Sequence, residues 1–92
     1  MELDDEEKIK ATILYHLRRK KMISGAHTHF DTVKNGFPSH LGKEVEKTCE
    51  KLIKENLILT KPASYGLQIS LNKERLKEIY AIIEKCLGIK FD

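Results

Sequence analysis

The chain has no tryptophan, two prolines, two cysteines and five glycines in 92 residues. So few prolines and glycines leave little to interrupt regular structure, and long elements are expected. Cys49 and Cys86 form no Cys-x-x-Cys pair, which excludes a disulfide framework and a zinc ribbon. Both stand among apolar residues at helical spacing, so buried, reduced thiols are expected, and with them a cytoplasmic setting. No apolar run approaches the roughly 18 residues that a membrane helix needs, so no membrane partner is expected. The acids Glu2, Asp4, Asp5, Glu6 and Glu7 are the reverse of a secretory leader's basic-then-apolar pattern. Catalytic apparatus is missing too: no glycine-rich phosphate loop, no nucleophile elbow, no paired carboxylates away from helix surfaces. The sequence predicts no enzyme, no catalytic residue and no cofactor.

What is present describes one folded domain over residues 1–92. The chain is 40% apolar and 34% charged, the balance of a folded globular protein rather than a disordered one. The net charge of +3 conceals an asymmetry. Residues 1–7 hold five acids and no base, which leaves 17 bases and 9 acids over residues 8–92, an excess of eight. A body this basic favours a polyanionic partner.

Apolar periodicity divides the chain. Ile9, Ile13 and Leu17, with Leu14 beside them, mark a helix from Asp4 to Arg19. Its acidic start and its basic end, Arg18 to Lys21, both suit the helix dipole. Residues 22–38 are the hardest to assign. Ser24-Gly25 is a break, residues 26–29 read as a short strand, and either Thr28 or Asp31 is placed to cap a brief helix that ends at Asn35-Gly36. Ser39 reads as the N-cap of a strong helix over His40–Asn56, whose Leu41, Val45, Thr48, Cys49 and Leu52 fall within an arc of roughly 100°. The period then shortens to two: Leu57–Lys61 and Leu67–Leu71 read as strands, Pro62–Gly66 as the turn between them, and 57–71 as a hairpin. Asn72 caps a last helix, 73–87, striped with Leu76, Ile79, Tyr80, Ile83, Cys86 and Leu87 and stopped by Gly88.

The fold class is therefore mainly α with a small β-hairpin (α+β). The stretch from Gly36 to Leu41, the run Lys54-Glu55-Asn56-Leu57-Ile58 at the end of the long helix, and the hairpin from Lys61 to Leu67 resemble the small winged-helix (winged helix-turn-helix) DNA-binding-type proteins of archaea. The likeness covers about residues 4–87, and Asn56 stands where the common pattern has glycine. It implies a three-helix core with the hairpin as the wing and a C-terminal helix. The task it implies is duplex DNA binding, by a transcriptional regulator that reads the major groove with helix 40–56.

On the face of that helix opposite its apolar arc lie His40, Lys43, Lys47, Lys51 and Lys54, a basic row suited to phosphates. Glu50 and Glu46 beside it are placed for ordinary ion pairs. The row is lysine, whereas arginine, asparagine and glutamine do most bidentate base reading. Ser39 and His40 are the groove-contact candidates, and Lys61, Ser64 and Tyr65 those of the wing. Tyr65 reads either as a sugar-stacking ring or as one folded over its own hairpin. Arg18–Lys21 read as an added binding patch or as a neutraliser of the helix end. His27, His29 and Asp31, with His40, suggest a metal, but no cysteine pair supports them and no metal site is expected.

The competing role is a protein-interaction module in a larger complex, favoured by the acids beside the lysine row. The wide apolar stripe of residues 73–87, with Ile82, Ile89 and Phe91, suggests a homodimer; packing on the first helix alone is the alternative.

Overall fold

In the computed structural model, residues 6–64 and 66–91 are described. Helix α1 runs over Glu6–Arg19 and buries Ile9, Ala11, Ile13, Leu14 and Leu17; the expected start at Asp4 lies outside the described residues. No glycine ends it. Lys21 takes the left-handed conformation (φ 60°), and the amides of Lys21 and Met22 return to the carbonyls of Arg18 and Leu17, the paired bonds of a Schellman stop.

Residues 22–37 hold the largest departure from expectation. Strand β1 is only Thr28–His29, and it passes directly into a seven-residue 3-10 segment, Phe30–Gly36. Neither Thr28 nor Asp31 caps it: His29 does, its Nδ1 accepting from the Asp31 amide at 3.2 Å. Thr32 Oγ1 donates to the His29 carbonyl at 2.7 Å and lies 3.0 Å from Thr28 Oγ1, holding strand and segment together.

A 3-10 turn, Ser39–Leu41, leads into helix α2, Gly42–Lys54. Val45, Thr48, Cys49 and Leu52 are buried, with Leu41 beside them, as the period requires. Burial pushes the Cys49 thiol up to about 12, and Glu50 adds to the shift. Asn56 supplies the left-handed stop (φ 65°), with the Asn56 and Leu57 amides bonded to the Ile53 and Leu52 carbonyls.

Strands β2 (Ile58–Ala63) and β3 (Gly66–Leu71) form the hairpin, paired from Ile58–Leu71 to Ala63–Gly66. The connection is thus shorter than the expected Pro62–Gly66 turn. Pro62 lies within β2, which the strand order β1-β3-β2 leaves on a sheet edge, where a missing amide goes unnoticed. Gly66, at φ 130°, makes the connection in a conformation that other residues rarely adopt. Strand β1 joins the far side of β3 through Thr28–Ile69 and His29–Gln68.

Asn72 ties the hairpin's base to the last helix. Its amide bonds the Leu57 carbonyl, its Nδ2 donates to the Asn56 carbonyl at 2.8 Å, and its Oδ1 accepts from the Glu74 amide at 3.0 Å. The helix it introduces is a 3-10 turn, Lys73–Arg75, continued by α3, Leu76–Leu87, and Gly88 closes it at φ 71°. Ile79 and Ile83 are fully buried, and Leu76, Tyr80, Ile82 and Leu87 pack half-buried against the same core. The architecture is α+β: helices and a three-stranded antiparallel sheet share one core. Among the described residues no helix is long and apolar enough to cross a membrane.

Candidate nucleic-acid interface

The buried arc of α2 fixes what its other side presents. Ser39 and His40 in the 3-10 turn and Lys43, Lys47, Lys51 and Lys54 along the helix are all exposed. Ser39 is not the cap expected of it. The chain enters the 3-10 turn from Pro38 and the α-helix from Leu41, with no side-chain cap bond at either point. Pro38 fixes the entry and the tight turn satisfies the early amides, so the Ser39 hydroxyl is left on the surface.

Ion pairing along this face differs from the expected pattern. Glu46 reaches off the helix to Lys34 of the 3-10 segment (2.8 Å), which holds the Lys34 ammonium above its usual range. Lys51 is held by both carboxylate oxygens of Glu6 at the start of α1, at 2.9 and 3.1 Å. Glu55 takes Lys10 at 3.2 Å. Glu50 and Lys54 do not pair. Among the described residues Lys43, Lys47 and Lys54 form no salt bridge, so the row holds three open ammonium groups and one engaged.

On the wing, Lys61 is exposed on the edge strand opposite Gln68, and Ser64 is exposed at the turn. Tyr65 lies outside the described residues. Leu59 and Leu67, at 39% and 38%, are the large apolar side chains exposed among the described residues, one on each strand of the hairpin.

The basic run at the end of α1 divides. Arg18 is structural: its Nε donates to Tyr80 Oη at 2.9 Å, and its guanidinium lies 5.7 Å from the Tyr80 ring and 5.5 Å from the Phe91 ring, two rings that themselves stack at 4.4 Å. Phe91 is thereby fastened to α3 through Tyr80. Arg19 instead lies over Tyr15 at 5.8 Å and, with Lys20, remains exposed.

His27, His29 and Asp31 do not converge. Among the described residues no group of three or more His, Cys, Asp or Glu side chains is placed to hold a metal ion. His29 is engaged with Asp31 and lies across β3 against Gly66, where an added Cβ would stand 2.5 Å from its Nε2.

One feature of the surface escaped the sequence. A half-open cavity of about 370 Å³ lies between the second half of α1 and the 3-10 segment. Its floor is Ile13, Leu17 and Val33, and its polar lining is His16, Arg19, Lys20, Thr32, Asn35 and Gly36. Burial lowers the His16 pKa, with Lys20 and then Arg19 adding to the shift, so the fold disfavours the charged imidazole. The signal was slight: a histidine beside an apolar stripe and an Asn-Gly pair twenty residues later, which only the folded chain brings together.

Compared with known families, curated proteins and solved structures, the chain matches no family model, no curated protein and no solved structure.

Proposed function

We propose that this chain is a winged-helix DNA-binding protein, of the transcriptional-regulator type, that lays α2 against the major groove and β2–β3 beside the backbone. The order helix, strand, short helix, helix, hairpin, with strands arranged β1-β3-β2, supports a winged helix. The observation that carries the DNA reading is the exposed row Lys43, Lys47 and Lys54, which no carboxylate of the described residues neutralises. In this reading Lys43, Lys47 and Lys54 take phosphates, Lys51 joins them only when Glu6 releases it, Ser39 and His40 lead into the groove, and Lys61, Ser64 and Tyr65 serve the wing. Lysine binds phosphate as a point charge, so affinity is largely electrostatic and discrimination between sequences modest.

Anisotropy of a labelled duplex across a salt series tests this. Binding is expected at low salt, falling steeply as salt rises, and lost in the double variant Lys43→Glu, Lys47→Glu. No binding at low salt would reduce the row to a solvated face.

A second reading, a protein-interaction module, draws on the exposed Leu59 and Leu67 of the hairpin. It expects a partner to bind the charge-reversed variant as well as the parent. The homodimer through residues 73–87 has less to work with than the periodicity suggested, because Ile79 and Ile83 are buried within the one chain and Ile82 is half-buried. A scattering mass that stays at 10.6 kDa at high concentration speaks against it.

A further inference from the structure

The cavity beside α1 combines an apolar floor with a cationic rim. Ile13, Leu17 and Val33 close the bottom of the cavity as core side chains only 1%, 2% and 7% exposed, so most of the apolar surface it offers comes from the other lining residues, the half-buried His16 ring among them. Arg19 and Lys20 stand at the rim, and among the described residues neither is in a salt bridge and no acid lines the cavity. A concave, mostly apolar cleft with a few convergent polar groups is the usual form of a small-molecule site, and about 370 Å³ falls in the range of such sites.

The wall is specific as well. His16 packs against Phe37, ring centroids 5.9 Å apart, and against Gly36, where a Cβ would fall 2.3 Å from its Cε1. Glycine at 36 lets the edge of the imidazole approach the turn where a side chain would collide with it. Two unpaired cations beside a half-buried ring repel any further positive charge, and an anion between them removes that repulsion.

We propose that this cavity binds a small organic carboxylate, its apolar body against the His16 ring above Ile13, Leu17 and Val33 and its anionic group held by Arg19 and Lys20. The apolar floor separates this ligand from a bare phosphate, which would satisfy the rim alone. The occupant bridges α1 to the segment that leads through Pro38 into α2. The inference stands independently of the DNA-binding reading.

The test is an amide NMR titration of the full chain at pH 7 and constant ionic strength, with three probes. Benzoate carries both parts, benzyl alcohol the ring without the charge, and inorganic phosphate the charge without the ring. Benzoate is expected to give saturable shifts at His16, Thr32, Asn35 and Gly36, and to bind at least about tenfold more tightly than either control. The variant Arg19→Ala, Lys20→Ala, changed at two exposed positions, is expected to weaken benzoate by at least about tenfold, with its own spectral changes confined to the neighbourhood of the two positions and of Tyr15, which Arg19 overlies. Nuclear Overhauser effects from the benzoate ring to the methyls of Ile13 and Val33 locate the probe without any variant. Absence of saturable shifts at these amides, equal binding of phosphate and benzoate, undiminished binding by the variant, or ring contacts elsewhere would each overturn the proposal.

Discussion

Glu6 holds Lys51 with both of its oxygens, and its replacement by glutamine makes a sharp probe of the surface proposed to meet DNA. In the parent the open lysines are Lys43, Lys47 and Lys54 of α2 and Lys61 of the wing. If each neutralises one phosphate, log K falls with log salt at a slope of about −3.6, or about 150-fold between 50 and 200 mM. Freeing Lys51 adds one contact, which steepens the slope to about −4.5 and the loss to about 500-fold over the same interval. The gain is therefore largest at low salt and shrinks as salt rises. Both members of the pair are more than half exposed, and exposed pairs contribute little to stability, so the urea midpoint is expected to stay put. The assay is fluorescence anisotropy of a labelled duplex at several salt concentrations, with Glu84→Gln on α3 as a variant of equal charge change away from α2. Parallel slopes for parent and Glu6→Gln refute the reasoning. Equal steepening by Glu84→Gln refutes it too, because the effect would then be one of net charge.

Other consequences can be measured without nucleic acid. Gly66→Ala puts a side chain at φ 130° and a Cβ 2.5 Å from His29 Nε2; a loss of about 1–3 kcal/mol in urea unfolding is expected, and an added His29→Ala should relieve the contact but not the backbone part. His16 takes up its proton at lower pH folded than unfolded, so stability is full above about pH 6.5 and declines as pH falls below it. Thermal melts from pH 7.5 to 5 check this, and His16→Asn should make the decline shallower; an unchanged profile would refute the role given to His16. Cys49 is buried with its thiol pushed up to about 12, whereas Cys86 is half-buried. A thiol reagent at pH 8 should label Cys86 first and Cys49 only on unfolding, as peptide mapping would show.

Legibility in the sequence tracked the range of the interactions. The apolar arc of α2, the Asn72 cap and the Asn56 and Gly88 stops are local devices, and each appears where its residues place it. Leu67–Leu71 does form a strand, but its alternation is not kept in burial, since Leu67 is exposed and Ser70 is buried. Residues 22–38 were obscure because their structure is set from outside. Strand β1 exists because β3 offers Ile69 and Gln68 as partners, and the 3-10 segment is capped by a histidine, a residue with no strong capping preference. Ser39 misled because serine before a periodic run is a good cap only when the helix begins directly after it, and Pro38 starts a tight turn there instead. The lysine row was legible as a face, but not the loss of Lys51 to Glu6, 45 residues away. The same distance problem hid the cavity, whose two walls lie on separate elements.

The packing of α1 also bears on how this chain is made. Its stripe of Ile9, Ile13, Leu14 and Leu17 is closed in part by Ile79 and Ile83 of α3, and Arg18 finds Tyr80 62 residues further on. The domain's first helix is therefore sealed by its last. While the ribosome is still adding the wing, α1 can rest on α2 and the sheet but keeps an open apolar seam, the kind of surface that chaperones hold and that neighbouring nascent chains stick to. Translation stalled after Leu71 should yield a chain that binds a hydrophobic dye and is cut readily by protease, and release of the remaining residues should abolish both. The domain then forms in one late step, when its final helix clears the exit tunnel.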